Sequence, residues 1–212
     1  MANIHGDEAG TLPVLNRIVN ETDAASMSGT VIVVPVANPP ALAGFSRTTP
    51  EQHGNPDLHK VFPGNPNGNL TQMLAATITE NVLKSLDALV DMHCGGSGGR
   101  VQRRVDFDGS YGSEVRAKSL ELCRAVGTTL VHENNLSNTA SAWLNKRGVP
   151  TVNMEIGGAY LSPVDAREAE EFTVTGLRRV MGHLGMIQGE DPARLKQLLF
   201  SVKSRFEANP SK

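Results

Sequence analysis

Three clusters of side chains in this 212-residue chain have the types and spacing to do chemistry. The first is His5-Gly6-Asp7-Glu8. A histidine and a glutamate three residues apart can face one point from a turn that enters a helix, and Gly6 permits the sharp backbone. The same pair also arises by chance as the polar start of a helix. The second cluster is Asp91-Met92-His93, at the end of an apolar run. A period of two puts Asp91 and His93 on one face of a strand, as metal-site residues or as a satisfied core pair. Two histidines and one carboxylate leave a fourth position open for water, which is a catalytic zinc set. His5, Glu8 and His93 are therefore the candidate ligands of one Zn2+ ion, with Asp91 as the group that orients a ligand.

The third cluster is Glu155, which leaves the apolar run Thr151–Met154 and precedes Ile156-Gly157-Gly158. A carboxylate there is costly to bury without a role. It is the candidate general base for zinc-bound water, and an ion pair closing the strand end is the simpler alternative. Arg47 lies in Gly44-Phe45-Ser46-Arg47-Thr48-Thr49-Pro50. Near a metal its guanidinium would bind a carbonyl oxygen as it becomes an oxyanion, or grip a substrate carboxylate. Elsewhere it is a solvated arginine. Cys94 follows His93, but adjacent strand residues point to opposite faces, which argues against a thiolate ligand.

Elements that would position these residues are legible in the apolar pattern. Val31–Val36, Ala88–Met92, Thr129–His132 and Val149–Met154 read as strands covered on both faces. Leu70–Leu86, Ser113–Val126 and Thr139–Lys146 read as helices, with Gly127 and Gly148 just past the ends of the last two. From Pro163 onward the chain is mostly helical, with a break around Gln188–Pro192. Residues 38–68 and 95–112 are long loops rich in Gly, Pro or Asn, the kind that carry function. Alternating strands and helices predict a three-layer α/β domain with a mixed sheet, a single domain over residues 1–212. Only Met1–Ile4 precede His5, which is short for a central strand.

Composition narrows the class. Hydrophobic residues make up 39% and charged residues 20%, so the chain is globular. A net charge of −2 excludes the basic footprint of a nucleic-acid binder. No apolar run suggests a membrane span and no secretory signal is visible, so a cytoplasmic location is expected. Two cysteines, Cys94 and Cys123, make no disulfide framework, and Cys123 falls in a helical apolar pattern as a core residue.

The ordered runs HGDE, VVPVANPPALAGFSR, VFPGNPNG, LVDMHCGG and NMEIGG resemble the succinylglutamate desuccinylase/aspartoacylase family, a branch of the zinc carboxypeptidase-like superfamily. The resemblance spans roughly residues 3–190. It implies an α/β/α fold with one zinc and hydrolysis of the amide in a small N-acyl amino acid. By matching motif, His5, Glu8 and His93 bind zinc, Glu155 is base and then acid, and Arg47 polarises the carbonyl. The DMHCGG segment looks most like members that deacetylate N-acetyl-diaminobutyrate in ectoine breakdown.

Three departures bear on substrate and rigidity. The family's Asn-Arg pair before VFPG, which binds the substrate carboxylate, is His59-Lys60 here. Lys60 keeps the charge without the bidentate fork, and His59 is a further potential metal ligand. Lys60, His59 and Arg100 are the substrate-binding candidates, with Arg103 and Arg104 beside Arg100. The strands before HGDE and the C-terminal β-rich domain expected of the family are also missing. Loss of a flanking domain would expose apolar surface that a homo-oligomer would cover. A carboxypeptidase or peptide amidase with a more open cleft is the alternative activity. A metal-binding but inactive module is the non-enzymatic one.

Overall fold

The computed structural model describes residues 1–97, 99–188 and 197–201. Five strands form one mixed sheet in the order β1-β4-β2-β3-β5: β1 Leu89–Gly95, β2 Arg104–Asp108, β3 Leu130–Asn134, β4 Thr151–Gly158 and β5 Leu198–Ser201. β1 runs parallel to β4, β2 runs antiparallel to β4, and β3 is parallel to both β2 and β5. The described residues also form six α-helices: α1 Leu12–Glu21, α2 Pro39–Ala43, α3 Leu70–Asn81, α4 Ser113–Val126, α5 Ala140–Asn145 and α6 Pro163–His183.

The sheet has two unlike faces. Met92, Val105, Phe107, Val152, Met154 and Ile156 pack with α1, α4 and α6 into the larger core. Phe107, Met92, Met154 and Leu122 are at most 1% exposed, and each such side chain stabilises the fold by about 2 kcal/mol. The alternate residues face the opposite side, where Leu89 joins Leu58, Phe62, Ile78, Ala140 and Leu144 around α3 and α5. Helices on both faces make three layers. The helix boundaries have local causes. Asn69 and Gln72 form a reciprocal capping box at the start of α3, and Thr139 caps α5 through the Ala142 N–H. Gly127 ends α4 in the left-handed conformation, φ +80°.

Several elements differ from the sequence reading. Helix α3 stops at Asn81 and a 3-10 turn at Leu83–Ser85 follows, so Leu70–Leu86 is not one helix. β2 lies inside the segment 95–112 that reads as loop, because its Arg104, Asp106 and Asp108 break the apolar run. β5 replaces part of the expected helical C-terminus, and its Leu198 and Leu199 pair with Leu130 and Val131. The expected break falls mostly on residues 189–192, outside the described residues.

Val31–Val36 forms no regular ladder strand. It meets the first residues of the chain instead. The Ala2 N–H donates to the Val34 carbonyl, while Ala37 and Asn38 donate to Ala2 and Asn3. On the other side Ala2 bridges Met92 in parallel, and the Met92 N–H donates to the Met1 carbonyl. Met1–Ile4 is thus wedged beside β1 and buried throughout, so this short segment does hold His5 in place. Short as it is, hydrogen bonds to both neighbours fix it.

Candidate metal centre

His5 and Glu8 leave this wedged segment on one turn, closed by the Glu8 N–H donating to the His5 carbonyl. Gly6 makes the turn possible by proximity. A Cβ there would sit 2.0 Å from the Ala41 carbonyl carbon and 2.2 Å from the Leu42 nitrogen, both backbone atoms of α2. Gly6→Ala should therefore destabilise the fold by about 3 kcal/mol and weaken metal binding, since α2 must move with the loop that carries Arg47. Chemical denaturation and metal titration of the variant check this.

His93 and Glu155 are register partners on the parallel pair β1 and β4, on the face opposite the larger core. Both histidines aim Nδ1 at Glu8. His5 Nδ1 lies 2.8 Å from Glu8 Oε1, and His93 Nδ1 lies 3.0 Å from Oε2. The other ring nitrogens face carboxylates: His5 Nε2 is 3.1 Å from Asp57 Oδ1, and His93 Nε2 is 3.2 Å from Asp91 Oδ2. All five residues are buried. Two nitrogens converging on one carboxylate, with a second carboxylate near the other nitrogen of each ring, fit a zinc site by donor set. His5, Glu8 and His93 form one of two potential metal-holding groups among the described residues.

The charges are strongly coupled. Burial opposes ionisation of Glu8, but His5 and His93 hold its pKa down to about 2. Burial alone would depress His93, yet Asp91 and Glu8 hold it well above the ordinary value. His5 is likewise raised against its burial, by Asp57 and Glu8. Glu8 is thus the one carboxylate that both imidazoles share. Burial pushes Glu155 up, against the pull of His93 and of Arg104, whose Nη2 is 3.5 Å from Glu155 Oε1. Glu155 Oε2 is buried without a hydrogen-bond partner.

Arg47 reaches the cluster from its loop, donating from Nη1 to Glu8 Oε1 at 3.2 Å, with its side chain half exposed. His59 packs against both His5 and His93, with ring centroids 5.6 and 5.0 Å away. Lys60 is exposed, its Nζ 3.6 Å from Asp57 Oδ2. Arg100 and Arg103 form surface pairs with Asp165 and Glu168 on α6, and Arg104 is clamped by Asp106. Cys94 packs into the larger core, away from the cluster, and burial and Glu8 push its thiol up to about 12. Only its backbone takes part, donating to Glu8 Oε2 at 3.3 Å.

Two contributors have no signal in the spacing of the motifs. Asp57 backs His5 from 52 residues away, and Asp7 Oδ2 accepts from the Ser97 N–H and hydroxyl, pinning the loop after β1. The available hint for Asp57 is its place ahead of Leu58-His59-Lys60, where it caps a 3-10 turn through the His59 N–H.

The fold and site define a three-layer α/β domain with a buried His/Glu/His group, able to hold a metal, beside the carboxyl end of a parallel strand. Residues 1–184 match the succinylglutamate desuccinylase/aspartoacylase catalytic domain, and the chain belongs to that family. The N-alpha-acetyl-L-2,4-diaminobutyric acid deacetylase of Halomonas elongata is 29% identical over 192 residues, 88% of this chain and 54% of that protein. The product-bound ectoine utilization protein EutE of Ruegeria pomeroyi superposes with a TM-score of 0.83 at 24% identity, over 96% of this chain and 61% of that one. A succinylglutamate desuccinylase from Silicibacter sp. TM1040 superposes with a TM-score of 0.82 at 25% identity, over 93% and 60%. The chain thus spans little more than half the length of these relatives. No helix among the described residues is long and apolar enough to cross a membrane.

Proposed function

We propose that this chain hydrolyses the amide bond of a small N-acyl amino acid, with a catalytic zinc ion bound by His5, Glu8 and His93. The observation that carries the reading is the approach of two imidazole Nδ1 atoms to the two oxygens of Glu8, with Glu155 as the register partner of His93. A zinc ion held there supplies an acidified water and a Lewis-acid contact for the acyl oxygen. Glu155, its pKa raised by burial, takes the proton from the attacking water. It then passes that proton to the departing nitrogen, so that one water adds across the amide and a carboxylate and an amine leave. Arg47 donates to the oxygen that gains charge. The same guanidinium donates to Glu8 Oε1 at 3.2 Å. Lys60, at the exposed rim beside Asp57, is the cation placed to meet a substrate carboxylate, with His59 at its side.

Arg47→Ala should lower kcat/KM by about 10²–10³-fold while metal content stays unchanged, because its partner Glu8 keeps both histidines. Steady-state kinetics with metal analysis of the same preparation decides it. The activity itself is tested by a zinc-loaded assay on a panel of N-acyl amino acids, beginning with N-acetyl-diaminobutyrate, alongside short peptides. Amine release from the N-acyl amino acids supports the reading. Release from the peptides alone replaces it with a carboxypeptidase-like activity, and bound zinc with no release replaces it with an inactive metal-binding module.

A further inference from the structure

The three buried carboxylates around the cluster are not equally satisfied. Glu8 accepts from both histidines, Arg47 and the Cys94 N–H, and Asp57 faces His5. Asp91 is 0% exposed, and neither of its oxygens has a hydrogen-bond partner. The approach of His93 Nε2 at 3.2 Å lacks hydrogen-bond geometry, so that nitrogen is orphaned too. So is His59 Nδ1. Buried polar atoms without partners are rare and costly, and here several of them face one another.

We infer that His59, Asp91 and His93 form a second site for a divalent cation, joined to the first through the His93 ring. One ligand atom from each residue lies within 4.8 Å of the others, close enough for an ion to draw them together. His93 offers Nδ1 to the Glu8 side and Nε2 to the Asp91 side, so each nitrogen has its own metal. Two imidazoles and a carboxylate suit zinc, cobalt or cadmium better than magnesium or calcium. His59 enters from the rim of the first site, its ring packed edge-on to His93 at 5.0 Å. The buried Met1 ammonium also faces Asp91 electrostatically, and it competes with the cation for that charge. Occupation of the second site with the first filled releases one proton, from His93 Nε2 to solvent, and the ring bridges as imidazolate. The second ion binds more weakly, because it meets the charge of the first and shares a ligand with it.

This inference rests on the zinc reading above, since His93 serves both sites. The test is titration of chelator-stripped full-length chain with Cd2+, read by ¹¹³Cd NMR and by calorimetric stoichiometry. Two equivalents and two resonances are expected for the native chain. One of each is expected for His59→Asn, and Asp91→Asn repeats the test by removing the carboxylate. A single equivalent in both native and His59→Asn protein overturns the second site and leaves the first standing. Two equivalents that persist in His59→Asn also overturn it. No bound ion in the native chain overturns this inference and the zinc reading together.

Discussion

Replacing Glu155 with glutamine should lower turnover by about 10²–10⁴-fold and leave metal binding intact. Glu155 is the register partner of His93, but it is not among the atoms that converge on Glu8, so the ligand set survives its loss. Glutamine keeps the volume and loses the basic oxygen. Burial raises the carboxyl while His93 and Arg104 pull it back, the balance that the proposed base requires. The loss should fall on kcat with little change in KM, because the proton is taken only as the reaction proceeds. Unchanged turnover would remove Glu155 from the mechanism.

Glu8→Gln should be the most damaging single change to the site. It removes a proposed zinc ligand and takes away the carboxylate that both imidazoles share. Breaking a buried pair this way costs about 3 kcal/mol. The cost should depend on pH in a definite direction. His5 and His93 have folded pKa values above the ordinary 6.5, so their pairing with Glu8 is complete below that value. It is lost as pH rises through the raised folded values. Glu8 has the opposite sense: its contribution is complete above the ordinary 4.5 and is lost as pH falls toward about 2. The destabilisation measured without metal should thus be largest above the Glu8 titration and below the raised histidine values, and shrink as pH rises through those values. Zinc affinity of the native chain runs the other way, rising with pH as both imidazoles lose their protons. Paired denaturation curves at pH 6 and pH 9 in the presence of chelator check the first trend. A cost that grows with pH contradicts it.

Much of this site could be seen in the sequence because its residues sit on regular elements. Period two placed Asp91 and His93 on one face of β1, and a local turn placed His5 three residues from Glu8. Glu155 was visible as a carboxylate inside an apolar run, although β4 continues past it to Gly158 rather than ending there. Polar residues facing the site also obscured the strand pattern. Arg104, Asp106 and Asp108 interrupt β2 and make it read as loop. Asp57 could not be found by spacing, because its link to His5 exists only once the loop after α2 has folded back over 52 residues. Val31–Val36 shows the converse: its composition is that of a strand, but only its end near Val34 meets a hydrogen-bonding partner. Tertiary pairing, not propensity, decides that segment. Met1–Ile4 are too few to form a regular strand, yet the carbonyls and amides on either side of them make a rigid seat for His5.

The central claim is that His5, Glu8 and His93 hold a zinc ion on which hydrolysis depends. Its most direct test is stepwise return of zinc to the chelator-stripped chain, with amine release from an N-acetyl amino acid followed at each step. Activity is predicted to be absent before zinc is added, to rise with the first equivalent, and to stay absent at every step in Glu8→Gln. Release of amine by the stripped chain, or full activity of Glu8→Gln, would contradict it.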